Sequence, residues 1–188
     1  MDLNIIIVIV SILWVGSEIS LAIIKRSLSG DKGFDKSSLR VLWLTISVTV
    51  SLGIILGFQS IGYFGNGSKI FSITGLLFIA CGLLVRWTAI YRLKHHFTVD
   101  VSIAKDHRII RNGIYRYVRH PAYAGSLLSF FGLGLYFANY ISMLIIFVPV
   151  CIAFLYRIHV EEKVLSDNFG EEYTKYCAST KRLIPGIY

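Results

Sequence analysis

Charge is scarce in this sequence. Of its 188 residues only 16% are Asp, Glu, Lys or Arg, while 55% are hydrophobic. A soluble domain carries about a quarter charged residues, so the composition points to lipid as the solvent, and the mean hydropathy of +0.65 agrees. Acidic residues are the scarcest, 11 against 19 basic ones, for a formal charge of +8. That balance would suit a nucleic-acid binder, but basic residues flanking membrane spans produce it too, and the hydropathy favours the second reading. Cysteine is equally sparse. The three cysteines form no CxxC pair, so neither a disulfide framework nor a zinc site is suggested. Cys81 and Cys151 lie inside apolar runs and read as small packing residues. No glycine-rich turn follows a strand, and Gly132 and Gly134 fall within an apolar run, so a Rossmann phosphate loop is absent. His95 and His96 are adjacent and would diverge on a helix. No carboxylate or cysteine at ligand spacing supports them as a metal site.

What the chain has is long apolar runs. A helix needs about 20 residues to cross some 30 Å of hydrocarbon. Residues 3–24, 41–61 and 70–91 each meet that length. The first lacks a basic start and a cleavage site, so it reads as a retained span rather than a signal peptide. The stretch 122–158 is too long for one helix, and Asn139 and Tyr140 divide it into spans at 122–138 and 141–158. Pro149 in the last of these should kink it or be accommodated by neighbouring helices. The expected fold is an all-α integral membrane protein, one membrane domain over 1–188, with five transmembrane helices.

The connecting segments alternate in charge. Lys25, Arg26, Lys32, Lys36 and Arg40 mark the first, and Arg92, Lys94, Lys105, Arg108, Arg111, Arg116 and Arg119 the third. The second has only Lys69, the fourth has none, and the tail is again basic. The positive-inside rule then puts the N-terminus outside, and the third loop and C-terminus in the cytoplasm. Gly53 and Gly57, and Gly75 and Gly82, mark close helix packing. Leu165, Phe169, Tyr173 and Tyr176 recur at helical spacing and predict a C-terminal amphipathic helix that Gly170 weakens or bends.

Two polar clusters stand out. Gly113 to Gly125 (GIYRYVRHPAYAG) gathers aromatic rings, arginines and a histidine at the entrance to the fourth span. Pro121 suits the first turn of a helix, which puts His120 at the N-terminus, where free N–H groups favour anions. An interfacial belt of Arg and Tyr has the same composition. In the second cluster, Arg157 and Glu161 are four apart and share a helix face. That pattern fits a surface ion pair ending a helix as well as a functional pair.

The string Gly-Ile-Tyr-x-x-x-Arg-His-Pro-x-Tyr from Gly113 to Tyr123 resembles the signature of the isoprenylcysteine carboxyl methyltransferases. So do the approach Asp106–Ile110, the pair Glu161-Glu162, the block Phe169 to Tyr173 with Tyr176, and Arg182 to Pro185. The resemblance covers about residues 92–188, the expected catalytic region, and suggests a prokaryotic-type member. It implies an S-adenosyl-L-methionine cofactor held by a cytoplasmic loop and the C-terminal segments. It further implies that His120 and Tyr123 bind that cofactor, with Tyr115, Arg119 and Pro121 shaping the pocket. Glu162 and Arg182 contact the cofactor or lock the tail over it, and Arg157 and Glu161 face the substrate.

On this reading the protein transfers a methyl group to a lipophilic acceptor, foremost the carboxylate of an isoprenylcysteine-like substrate. Its partners are that lipophilic or prenylated substrate and membrane lipid, with no nucleic acid. The membrane is the inner membrane in a prokaryote and the endoplasmic reticulum in a eukaryote. A carboxylate acceptor is already ionised at neutral pH and needs orientation and removal of water rather than a base. For a phenol, enol or amine, Glu161 or His159 could serve as base. Three alternatives stay open: methylation of a phospholipid amine or a polyketide hydroxyl, an NADPH-dependent reductase similar to the sterol reductases, and a non-enzymatic membrane scaffold.

Overall fold

In the computed structural model, residues 2–24, 32–35, 37–59, 61–65, 68–93, 101–103 and 109–188 are described. Six helices make up most of them: α1 (Leu3–Ile24), α2 (Ser37–Gly57), α3 (Ser68–Leu93), α4 (Pro121–Tyr136), α5 (Tyr140–Phe169) and α6 (Glu171–Ser179). A 3-10 turn, Gly113–Arg116, leads towards α4. Two short strands, β1 (Lys32–Asp35) and β2 (Val101–Ile103), pair antiparallel and are a small non-helical addition to the expected all-α fold. Lys25, Arg26, Lys36, Lys94, His95, His96, Lys105, Asp106, His107 and Arg108 lie outside the described residues.

Among the described residues four helices, α1, α2, α3 and α5, are long and apolar enough to cross a membrane. α4 has 16 residues, which at 1.5 Å per residue is about 24 Å. It is held between α3 and α5. Exposed apolar side chains identify the solvent. Ile12, Leu13, Ile23, Leu44, Ile70 and Ile152 are all more than 60% exposed, which water would penalise and lipid would not. This is an integral, multi-pass membrane protein.

Packing follows the glycines. A methyl group on Gly82 would lie 2.5 Å from the Gly125 carbonyl oxygen, and one on Gly75 would lie 2.5 Å from that of Gly132. Only hydrogen fits at these crossings, so α3 and α4 meet backbone to backbone. Gly53 lets α2 approach α5, where Ser142 Oγ donates to the Gly53 carbonyl at 2.7 Å. The interior between them is filled by Ile79, Phe130, Leu133, Ile146, Val150 and Phe154.

Asn139 makes the hairpin. Its Oδ1 accepts from the Ile141 and Ser142 amides and caps α5. Its Nδ2 donates to the carbonyls of Leu56 in the last turn of α2 and of Gln59 and Ile61 just beyond it. The division at Asn139 and Tyr140 thus matches the expected one. The end of α5 does not. The helix continues through Pro149 and past residue 158 to Phe169. The expected single amphipathic helix is therefore two pieces. Leu165 and Phe169 belong to α5, and Tyr173 and Tyr176 to α6. Gly170, at φ +50°, makes the bend between them.

Candidate active site

Pro121 occupies the first turn of α4 and His120 its N-cap, as the sequence predicts. Their approach is fixed by the tail. The Arg119 amide donates to the Lys181 carbonyl at 2.8 Å and the His120 amide to that of Arg182 at 3.0 Å. The Lys181 amide returns a bond to the Tyr117 carbonyl at 3.2 Å. Tyr176 Oη donates to the Tyr115 carbonyl at 2.7 Å, and Tyr115 Oη reaches the Ala89 carbonyl on α3 at 3.4 Å. Residues 115–120 are thus clamped between α3 and the C-terminal segments.

One carboxylate organises that clamp. Glu162 Oε1 lies 3.1 Å from Arg119 Nε and 3.2 Å from His120 Nε2. Its Oε2 accepts from Arg182 at 2.9 Å (Nε) and 2.8 Å (Nη2). The Arg119 guanidinium also donates to the carbonyls of Cys177 and Thr180 at the end of α6. Three cationic or proton-bearing groups therefore meet one largely buried carboxylate, a geometry in which charge-assisted bonds are strong.

A second cluster shares a side chain's width with the first. The Tyr123 ring stacks on that of His120, centroids 5.6 Å apart and 11° from parallel. Tyr123 Oη donates to Glu161 Oε2 at 2.6 Å and accepts from Arg157 Nε at 3.1 Å. Arg157 Nη1 donates to Ser38 Oγ on α2 at 3.1 Å. Adjacent helical residues diverge by about 100°, so Glu161 and Glu162 enter different clusters. Arg157 is 3% exposed, so the surface-ion-pair reading of this cluster is wrong. His159 is exposed and lies away from the cluster. Of the two base candidates only Glu161 is in place, because position 159 is on another face of the same helix.

Beyond the second cluster a cavity of about 300 Å³ opens between α1, α2, α4 and α5, with Arg86 of α3 in its wall. Trp14, Leu42, Ile46, Val50, Phe130 and Phe154 contribute to an apolar lining. The polar groups in its wall include Glu18, Arg86, Tyr123, Ser126 and Arg157. The sequence reading missed the Glu18–Arg86 pair. Arg86 Nε and Nη2 bond both Glu18 carboxylate oxygens, at 2.5 and 2.6 Å. A Glu and an Arg each isolated within an apolar run was the available signal, since charges within spans are retained as pairs.

Outside the spans, burial raises phenol pKa values in the clamp. Tyr173 is pushed well above the ordinary value of 10 by burial, with Glu162 adding to the effect. Tyr176 is pushed up to about 12 by burial, against the opposing field of Arg119. Both stay neutral at physiological pH.

A mainly helical membrane fold with polar clusters meeting at one end of an apolar cavity defines a class of intramembrane enzyme-like proteins. A family model for Phospholipid methyltransferase matches residues 70–172, more than half of the chain. The chain is 31% identical over 161 residues to Protein-S-isoprenylcysteine O-methyltransferase of Dictyostelium discoideum, covering 82% of this chain and 68% of that protein. It is 32% identical over 115 residues to Protein-S-isoprenylcysteine O-methyltransferase A of Arabidopsis thaliana, covering 60% of this chain and 58% of that one. Among solved structures it is similar in fold to the eukaryotic intramembrane Ras methyltransferase ICMT (isoprenylcysteine carboxyl methyltransferase). The TM-score is 0.59, the identity 24%, and the match covers 82% of this chain and 55% of that one. The chain belongs to the isoprenylcysteine carboxyl methyltransferase family. It spans less than two thirds of the length of the Arabidopsis relatives.

Proposed function

We propose that this protein transfers a methyl group from S-adenosyl-L-methionine to the carboxylate of a lipophilic, isoprenylcysteine-like acceptor. The observation that carries this reading is the junction at Tyr123. Its ring stacks on His120 beside the charged clamp, and its hydroxyl joins Arg157 and Glu161 at the apolar cavity. Two ligands of opposite character, one polar and one lipid-like, can meet only at such a boundary.

The residues present fit the cofactor. The Tyr173 hydroxyl is buried with no hydrogen-bond partner among the described residues, and its field is shared with Glu162, Glu161 and Arg119. A polar group arriving there would satisfy it. In this reading His120 and Tyr123 hold the cofactor, Tyr115, Arg119 and Pro121 shape its pocket, and Glu162 with Arg182 locks the tail over it. When bound, the cofactor supplies an electrophilic methyl carbon on a sulfonium. Arg157 holds one oxygen of the acceptor carboxylate, and the apolar walls exclude water, so the other oxygen is poorly solvated and reactive. No proton needs to move for that acceptor.

The Tyr123–Glu161 hydrogen bond favours a second reading. A carboxylate joined to a phenol can accept a proton, which suits an amine acceptor, and the family model is described for phospholipid methyl transfer. The reaction uses the whole chain as one membrane domain, with the N-terminus outside and the clamp on the cytoplasmic face. The test is transfer of labelled methyl from S-adenosyl-L-methionine to a panel of acceptors by detergent-purified protein. Label on a prenylcysteine carboxylate supports the first reading, and label on a phospholipid amine alone supports the second. Label on neither, with NADPH-dependent reduction of a lipid, overturns both.

A further inference from the structure

The Glu18–Arg86 pair has no role in the chemistry above, yet it stands in the wall of the cavity. Glu18 belongs to α1 and Arg86 to α3, and their side chains are 16% and 11% exposed. The same guanidinium donates through Nη1 to Ser126 Oγ at 2.9 Å and to the Ala122 carbonyl at 3.4 Å. One side chain thus ties α1 and the first turns of α4 to α3. Ala122 directly precedes Tyr123, and Ser126 lies one turn beyond it.

Stability alone does not account for these charges. Desolvating an ion pair is costly, and apolar side chains of similar volume commonly replace a buried pair without loss. Apolar partners, however, do not fix a direction. Two bonds to one carboxylate, plus one each to a hydroxyl and a carbonyl, set the position of three helices relative to one another. All three line the cavity: α1 through Trp14 and Val15, α3 through Arg86, and α4 through Tyr123, Ser126 and Phe130.

We infer that Glu18 and Arg86 are positioning residues for the acceptor: their ion pair sets where the α1 wall meets the Tyr123 turn. It thereby sets the depth at which an acceptor's polar head stops beside Tyr123 and Arg157. This rests on the proposal that the cavity takes a lipophilic acceptor.

The test compares the wild type with a double variant, Glu18→Leu with Arg86→Met, which removes both charges at similar size. Glu18→Gln and Arg86→Lys complete the set. Binding of a prenylcysteine carboxylate analogue is read from the fluorescence of Trp14 and Trp43, which line the cavity, independently of turnover. Thermal unfolding, S-adenosylhomocysteine affinity, KM and kcat are measured alongside. The double variant should unfold at the wild-type temperature and bind S-adenosylhomocysteine normally, while its analogue Kd and acceptor KM rise about tenfold. Glu18→Gln should show the same rise, and Arg86→Lys, which keeps the charge, should recover part of it. A folded double variant with analogue Kd and KM within about twofold of wild type overturns the inference. So does a parallel loss of unfolding temperature, cofactor affinity and KM, which marks a purely structural pair. If the wild type binds the analogue without methylating it, the reaction proposed above fails while the positioning role is still decided by Kd. If the wild type does not bind the analogue, both fail.

Discussion

The two halves of the molecule divide the work unequally. In the C-terminal half, α4, α5, α6 and the tail hold Arg119, His120, Tyr123, Arg157, Glu161, Glu162 and Arg182 in a dense web of charged hydrogen bonds. In the N-terminal half, α1 and α2 expose apolar side chains to lipid and contribute to one apolar cavity. The contrast shows why one half is recognisable by motif and the other only by hydropathy. Bonds between named polar atoms restrict residue type, whereas a lipid-facing wall restricts only polarity and size. Polar contacts join the halves at separate points, among them Arg157 to Ser38, Ser142 to Gly53, Asn139 to the end of α2, and Arg86 to Ser126.

The sharpest way to break the contrast is at its densest point. Glu162→Ala leaves Arg119, His120 and Arg182 without their shared carboxylate. Removing one partner of a buried charge cluster costs about 3–5 kcal/mol. We expect S-adenosylhomocysteine binding to be lost and the tail to become protease-sensitive, measured by calorimetry and limited proteolysis. Wild-type binding would show that the clamp and the cofactor site are separate.

Arg157→Ala should act differently. The proposed carboxylate-holding role predicts a fall in kcat/KM on the order of 100-fold, or about 2.7 kcal/mol. S-adenosylhomocysteine affinity should stay within a few-fold of wild type. Loss of both together would merge the two clusters into one.

Asn139→Ala removes a helix cap and three donated bonds at the hairpin. A cost of about 2 kcal/mol in unfolding free energy is expected, with cofactor affinity unchanged in the remaining folded protein. Denaturant or thermal unfolding in detergent reads this.

The smallest effect concerns pH. The Tyr176 phenol, pushed up to about 12 by burial, loses its proton more readily in the unfolded chain, where its value is near 10. Its contribution to stability is therefore complete below pH 10 and is lost as pH rises from 10 towards 12. Tyr176→Phe should flatten that part of the pH–stability curve while costing about 1 kcal/mol at neutral pH through the lost bond to Tyr115. An unaltered alkaline limb would place the titrating group elsewhere.

Much of the fold was legible because apolar run length is a direct reading of solvent. The division at Asn139, the Pro121 helix start and the glycine crossings follow from the same local rules. The run of α5 to Phe169 was not legible, since a helix leaving the membrane changes composition without changing conformation. Within the site, the spacing of Arg157 and Glu161 predicted their shared face, but not that Tyr123 would bridge them from 34 residues away. Only the family resemblance separated the neighbours Glu161 and Glu162, and helical divergence is the physical reason they enter different clusters. Glu18 and Arg86 were hidden by their separation of 68 residues, although each was out of place in its own apolar run.

The central claim is that the clamp around Glu162 and His120 is a cofactor site distinct from the acceptor cluster at Arg157. Calorimetry of S-adenosylhomocysteine with detergent-purified wild type, His120→Ala and Arg157→Ala tests it most directly. Saturable binding by wild type, lost in His120→Ala and retained in Arg157→Ala, is the predicted result. Absence of binding by the wild type, or binding of NADPH in its place, would contradict the account.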